Sequence, residues 1–563
     1  MTYPNIIKYI VASLFLIQGS LLPAQAQEPR NPFDFPILLS ANFGELRSNH
    51  FHSGLDFKTQ GVEGKPVHTV QEGYVSRISV SPWGYGNALY INHPDGTTTV
   101  YGHLKQFSKK IADYVKLKQY EQESFKVNLT LNPNEIPVKK DEVIALSGNT
   151  GSSGGPHLHF EIRDTESEEV LDPMDFYIDQ IIDTRAPRIH AIMIVPQEGK
   201  GVVNGKGDKI ILKPVIKNGK TTLEARLEAW GKIGLAIRCD DQMDKTTNIY
   251  GVKDILLTVD TQKVYHCHID RFSFDETRYI NSLTDYAEWR NHNTIFVKSF
   301  IDPGNRLPFV EGNDRGFITI NEVRKYELTY RLTDAFGNST ILTFHIQGKE
   351  QTIPKEDQSD KNYFHWGSDN RFGAKGIRLY IPKGNLYDDL HFHYAVRRDT
   401  NALADLHILH DQPVPLHHKA KLSLFIQKDT LENKRQYGVV RFRKKGIIWV
   451  GGVYRDGRVD ADIQELGSYS VRADTKAPTI TPLNAANWLK RNRISLKLSD
   501  NLSGVESYRG EIDGKYALFE MNNRSVISYT LDRERLTKGA HVLRVTATDA
   551  CGNESEYTYH FTW

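Results

Sequence analysis

The stretch from Ser147 to Arg163 constrains this chain most. It reads Ser-Gly-Asn-Thr-Gly-Ser-Ser-Gly-Gly-Pro-His-Leu-His-Phe-Glu-Ile-Arg. Val143–Leu146 is an apolar run before it, and His157–Ile162 alternate polar with apolar after it, so a glycine-rich turn feeds a strand. Successive side chains of a strand point to opposite faces. His157 and His159 therefore share one face, with Glu161, and Leu158 and Phe160 take the other. The four glycines between Gly148 and Gly155 keep the histidine face open to close backbone approach.

One His-x-His is weak by itself. With 21 histidines in 563 residues, about one such triplet arises by chance. His266-Cys267-His268 and His391-Phe392-His393 are others. His266 with Asp270, and His407 with Asp411, share the His-x-x-x-Asp spacing of His52 and Asp56. The expectation is that His266, His268 and Asp270 share a strand face. None of these has the glycine-rich entry or a nearby Gly-His-Leu, so they read as decoys. His50, His68 and His93 read as solvent-facing.

The length predicts three or four domains. A formal net charge of +2 from 71 basic and 69 acidic side chains excludes the charge pattern of a nucleic-acid binder or a strongly membrane-attracted surface. Lys8, the short apolar run Tyr9–Ile17 and Ala24-Gln25-Ala26 predict a signal peptide over residues 1–26. No later stretch is apolar enough to span a membrane, so export to the periplasm, the envelope or the medium is expected. Cys239, Cys267 and Cys551 are too few for a disulfide scaffold; whether Cys239 and Cys267 pair stays open.

The fold is expected to be mainly β. Residues 27–183 read as a compact antiparallel β domain with a hairpin across Pro94-Asp95-Gly96 and a short helix or lid within Ile111–Phe125. Two echoes organise the rest. Asp183-Thr-Arg-Ala-Pro returns as Asp474-Thr-Lys-Ala-Pro, and Asp334-Ala-Phe-Gly-Asn returns as Asp549-Ala-Cys-Gly-Asn. Each of the latter lies between alternating runs, as a hairpin turn does. The predicted units are 184–350 with an insertion around Phe272–Glu276, 351–474 with a linker and a β module, and 475–563, of a size for an immunoglobulin-like sandwich.

Catalytic zinc takes three ligands from His, Asp or Glu and keeps one position for water, whose pKa it lowers to about 7. His52, Asp56 and His159 supply such a set. His103 and His157 suit proton acceptance or oxyanion support beside it. The order Asn42-Phe43-Gly44, His52-Ser-Gly-Leu-Asp56, Tyr101-Gly-His-Leu104 and Ser147-Gly-Asn-Thr-Gly through His157-Leu-His-Phe-Glu161 resembles the lysostaphin-type (LytM-like) zinc metallopeptidases of bacterial peptidoglycan. The resemblance spans Asn42 to Arg163. It implies a β fold with an open groove, zinc ligands at His52, Asp56 and His159, catalytic histidines at His103 and His157, and stem peptides or cross-links as substrate. Phe107–Lys140 is longer than the family's bare core, and a lid over the groove is one use for it. The competing reading is a catalytically silent wall-binding or regulatory protein, with a protein or glycan partner for the β modules.

Overall fold

Alternation along His157–Asp164 decides the architecture of the first unit. Leu158, Phe160 and Ile162 are at most 2% exposed and enter one apolar core with Leu55, Phe57, Leu89, Ile91 and Tyr101. Full burial of a side chain such as Phe160 contributes about 1.5–3 kcal/mol. The computed structural model describes residues 29–217, 220–355, 362–400, 402–522 and 524–563. The expected signal peptide lies outside them, as does part of the expected linker, 356–361.

Seven strands carry the unit: β1 (Leu39–Ala41), β2 (Leu55–Lys58), β3 (Gly73–Val80), β4 (Asn87–Asn92), β5 (Thr97–Gly102), β6 (Val127–Thr130) and β7 (His157–Asp164). Their order across the sheet is β1-β2-β7-β5-β4-β3-β6, with antiparallel pairing throughout. The β4–β5 hairpin turns at Pro94-Asp95-Gly96 as expected. A helix, α1 (Lys109–Glu121), buries Ile111, Val115 and Gln119, one stripe at i, i+4, i+8.

The segment 107–140 carries a helix and a strand of this sheet. Strand β6 extends the sheet at the edge remote from β2 and β7, and α1 docks on the last β unit. There Lys116 pairs with Asp532 at 2.7 Å, and the Arg535 guanidinium lies 3.3 Å from the centroid of Tyr120.

The remainder is β-rich. Strands between Arg188 and Gly348 join one twelve-stranded sheet. Residues 370–473 form two five-stranded sheets around a shared core, and residues 479–562 form two four-stranded sheets around another. Both Asp-Ala-x-Gly-Asn stretches turn hairpins, between Lys325–Thr333 and Ser339–Gly348 and between Ala540–Asp549 and Glu554–Thr562. The first sheet does not stop at its unit. Val170–Leu171 pairs with Ile162–Arg163 on one side and with Phe272–Arg271 on the other. Phe272, where the stretch read as an insertion begins, thus belongs to a strand of the N-terminal sheet. All three cysteines are free thiols. His93, expected at the surface, is buried, because Glu72 O lies 2.7 Å from its Nδ1 and Thr99 Oγ1 lies 2.8 Å from its Nε2.

Candidate metal centre

Strand register brings the distant residues together. His159 on β7 stands opposite Asp56 on β2 and opposite Gly102 on β5, the residue before His103. Gly54 immediately precedes β2, and two residues before it comes His52, whose ring folds back over the strand pair. His52, Asp56 and His159 are all buried. His52 Nε2 and His159 Nδ1 are 3.1 Å apart, and each is 3.0 Å from Asp56 Oδ1.

The opposite ring nitrogens fix the tautomers. His52 Nδ1 lies 2.7 Å from the carbonyl of Asn42, and His159 Nε2 lies 2.8 Å from Glu161 Oε1. Each acceptor holds a proton on the nitrogen facing it. His52 Nε2 and His159 Nδ1 are then lone-pair atoms, turned on each other and on a carboxylate. Three such atoms repel unless a cation or a proton sits among them. Burial pushes the His159 pKa down, but Asp56 and Glu161 draw a proton so strongly that it rises to about 9. Burial likewise opposes the Asp56 charge, yet His52 and His159 hold that carboxyl well below the usual range. The triangle's edges approach the separation of about 3.3 Å between donors in a tetrahedral shell of bonds near 2.0–2.1 Å. The donor set therefore fits one zinc ion.

Glu161 anchors this arrangement. It is fully buried and accepts hydrogen bonds from His159 Nε2, from the hydroxyls of Ser53 and Tyr85 at 2.5 Å each, and from Arg163 Nε and Nη2 at 2.7 and 2.5 Å. Burial raises its pKa, but the Arg163 charge and His159 hold it at about 2. Arg163 in turn lies 4.5 Å from the ring centroid of Phe274, in the second unit.

His103 and His157 stand beside the triangle, their ring centroids 4.7 Å apart. Thr150 O lies 2.8 Å from His103 Nδ1 and Gly155 O lies 2.8 Å from His157 Nδ1, leaving both Nε2 atoms with lone pairs. Burial, then the His159 and His157 rings, lower the His103 pKa to about 3; burial also lowers that of His157. His157 Nε2 is 3.5 Å from Asp56 Oδ1. Gly148 lets the entry loop close on this pair, since a Cβ there would sit 2.4 Å from Lys105 N and 2.7 Å from His103 O.

Residues 50–120 match peptidase family M23, and residues 361–474 match a Zu5-like domain. The chain carries an M23 peptidase domain. Over 118 residues it is 32% identical to the DD-carboxypeptidase/endopeptidase Mpg of Neisseria meningitidis, covering 21% of each chain. Over 112 residues it is 37% identical to an uncharacterized metalloprotease of Haemophilus influenzae, covering 20% of this chain and 18% of that one. Over 128 residues it is 30% identical to lysostaphin of Staphylococcus simulans, covering 22% and 21%. The chain thus spans about a fifth of the length of these relatives.

The M23 domain is completed by residues far away in sequence. Asn42 and Gly251 exchange two hydrogen bonds of 2.9 Å, which fix the carbonyl that orients His52. Phe272 stacks on Phe43 and packs at a tilt against Phe51, and Phe51 N donates to Thr277 Oγ1 at 2.9 Å. A cavity of about 920 Å³ opens beside His157, between Leu38–Ser40, Gly154–His157, Ile181–Ile182 and Met243–Thr246. No residue of 108–140 lines it. The contacts of Asn42, Ser53, Tyr85, Arg163 and Gly251 were not read from sequence; Asn42 and Ser53 stood within the matching motifs, Arg163 stood at i+2 from Glu161 on the same strand face, and Tyr85 and Gly251 carried no signal.

The expected decoys differ in detail. His266 and His268 face Asp254 on the neighbouring strand, at 2.7 and 2.9 Å, and not Asp270. His407 is buried with its Nδ1 2.9 Å from the Tyr394 hydroxyl, so it does not face Asp411.

Proposed function

We propose that this chain is an exported, zinc-dependent endopeptidase that hydrolyses peptide cross-links or stem peptides of bacterial peptidoglycan. One observation supports the reading: two buried imidazoles, each held from behind by Asn42 O or Glu161, turn their inner nitrogens on one carboxylate oxygen, beside two further neutral imidazoles. The matches to Mpg and lysostaphin support the choice of wall peptides as substrate. His52, Asp56 and His159 are the zinc ligands. Zinc bound there supplies Lewis acidity that polarises a peptide carbonyl and makes water acidic.

The chain's own residues do the remaining work. His103 is neutral at every physiological pH, so its Nε2 is free to accept the proton of the attacking water. His157 presents Nε2 on the groove side, where it donates to the developing oxyanion once protonated, or passes the proton to the leaving amine. Glu161 holds His159 in the tautomer that keeps Nδ1 a ligand. The apolar groove from His157 to Met243 receives the peptide and excludes water. The chain is divided as a signal peptide (1–26), the peptidase domain (27–183) and three β units (184–350, 351–474 and 475–563). The second unit forms one groove wall, and the last unit is docked through α1.

Mass spectrometry of purified wall fragments tests this. Incubation with the protein should release peptides cut at internal bonds. Chelation and His159→Ala should each abolish release. Undiminished cleavage after either would overturn the proposal.

A further inference from the structure

The two repeated acidic motifs have no part in the peptidase chemistry, yet the fold brings them together. Asp183, Asp241 and Asp334 each place a carboxylate oxygen within 4.8 Å of the others, and Asp474, Asp500 and Asp549 do the same. The hairpin turns of the two clusters agree partner by partner. Asp334 Oδ1 accepts the N–H groups of Phe336 and Asn338; Asp549 Oδ1 accepts those of Cys551 and Asn553. The Asn338 amide donates to Asp334 Oδ2 and to Asp183 O, and the Asn553 amide donates to Asp549 Oδ2 and to Asp474 O. Each turn is tied in this way to the residue that immediately precedes its own unit.

Those bonds account for Asp334 and Asp549 as turn residues. They leave other oxygens unexplained. Asp241 is 1% exposed and Asp183 is 9% exposed, and Asp241 Oδ1 and Asp183 Oδ2 are buried with no hydrogen-bond partner. In the other cluster Asp500 is half-buried; its Oδ1 is buried and unpartnered, while its Oδ2 accepts from Leu502 N and Gly504 N at 2.9 and 2.8 Å. An anionic oxygen removed from water with no partner costs several kcal/mol. The charges that act on Asp241 make this worse. Burial comes first, and Asp334, Asp183 and Asp240 then push its pKa further, to about 8. A bound cation would supply the missing partner. The donors are carboxylate oxygens alone, with no imidazole or thiolate, which selects a hard ion.

We propose that each cluster is a calcium site, one formed by Asp183, Asp241 and Asp334 and the other by Asp474, Asp500 and Asp549. Both sit where one unit meets the next. Asp183 follows Ile181–Ile182 and Asp241 precedes Met243–Thr246, two stretches that line the groove beside His157. Ala335 and Phe336, in the same turn as Asp334, pack against the peptidase core. Calcium at this joint fixes the groove wall. At the other joint Asp474 N donates to Gln436 O, and Gln436 Nε2 donates to Asn553 Oδ1 at 2.7 Å. Calcium there locks the last unit, which carries the α1 contact, onto the preceding one.

Isothermal titration of the chelator-stripped full chain with calcium chloride tests the proposal. Two equivalents should bind per chain, and calcium at about 1 mM, within the range of extracellular modules, should raise the thermal midpoint. Asp241→Asn and Asp500→Asn should each reduce the stoichiometry to one, and the double variant to zero. Asparagine keeps the size of each side chain and adds no charge, so without calcium the variants should unfold close to the wild-type temperature, which separates lost binding from lost folding. No calcium uptake by the wild type, or undiminished uptake by the double variant, would overturn the proposal. Equal uptake of magnesium would overturn the choice of calcium.

Discussion

Replacing Glu161 with glutamine strikes the residue on which the metal centre leans. Five donors converge on its two oxygens: His159 Nε2, the Ser53 and Tyr85 hydroxyls, and two nitrogens of Arg163. Glutamine keeps one acceptor and turns an NH2 group toward the rest. If that group faces Arg163, a buried guanidinium loses its counter-charge, a change worth about 3–5 kcal/mol. If it faces His159, the imidazole must move its proton to Nδ1, where Asp56 and His52 wait for a ligand. Loss of such an outer partner costs about 10–100-fold in metal affinity. The assay is zinc competition against a chromogenic chelator, paired with urea unfolding. Glu161→Gln should weaken zinc binding about 10–100-fold and lower stability by about 3 kcal/mol. Tyr85→Phe removes only one of the five bonds, about 1 kcal/mol, and should leave zinc affinity nearly unchanged. A Glu161→Gln protein that binds zinc as tightly as wild type would refute the reasoning.

Other outcomes follow from the same geometry. His103→Ala should retain zinc but lose about 10²–10⁴-fold in wall-peptide hydrolysis, read as released peptide at saturating zinc. Gly54→Ala places a Cβ 2.1 Å from the carbonyl of Phe160; it should push His52 away from β7 and reduce zinc content in the folded fraction. Tyr120→Ala should loosen the last unit without changing zinc affinity, measured as faster limited proteolysis near the α1 contact. His417, buried against Tyr279 and Tyr387, titrates at about 4, held down by burial and then by His418 and Arg278. Its unfolded value is about 6.5, so the unfolded chain binds the extra proton first. Stability is full above pH 6.5 and falls as pH drops toward 4, and thermal scans of His417→Gln should show a smaller loss over that window.

Local pattern carried much of the centre. Two-residue periodicity in His157–Ile162 is a local property, so it placed His157, His159 and Glu161 on one face and Leu158 and Phe160 in the core. Register is not local. Nothing near Asp56 announces that it stands opposite His159, because that pairing depends on how β2 and β5 flank β7. The clasp between Asn42 and Gly251 joins positions 209 residues apart and leaves no mark on either segment. Phe272 read as the start of an insertion because the partner of its strand, Val170–Leu171, belongs to another unit. His93 read as exposed because its burial comes from a carbonyl at Glu72 and a hydroxyl at Thr99, and side-chain type says little about either. The Asp repeats were visible, but their convergence requires the fold.

Zinc K-edge absorption of the purified, zinc-loaded chain tests the central claim most directly. The account expects one zinc per chain in a shell of two imidazole nitrogens and carboxylate oxygen, lost in His52→Ala, Asp56→Ala and His159→Ala alike. Zinc retained in full by any one of these variants, or a shell without imidazole, would contradict it.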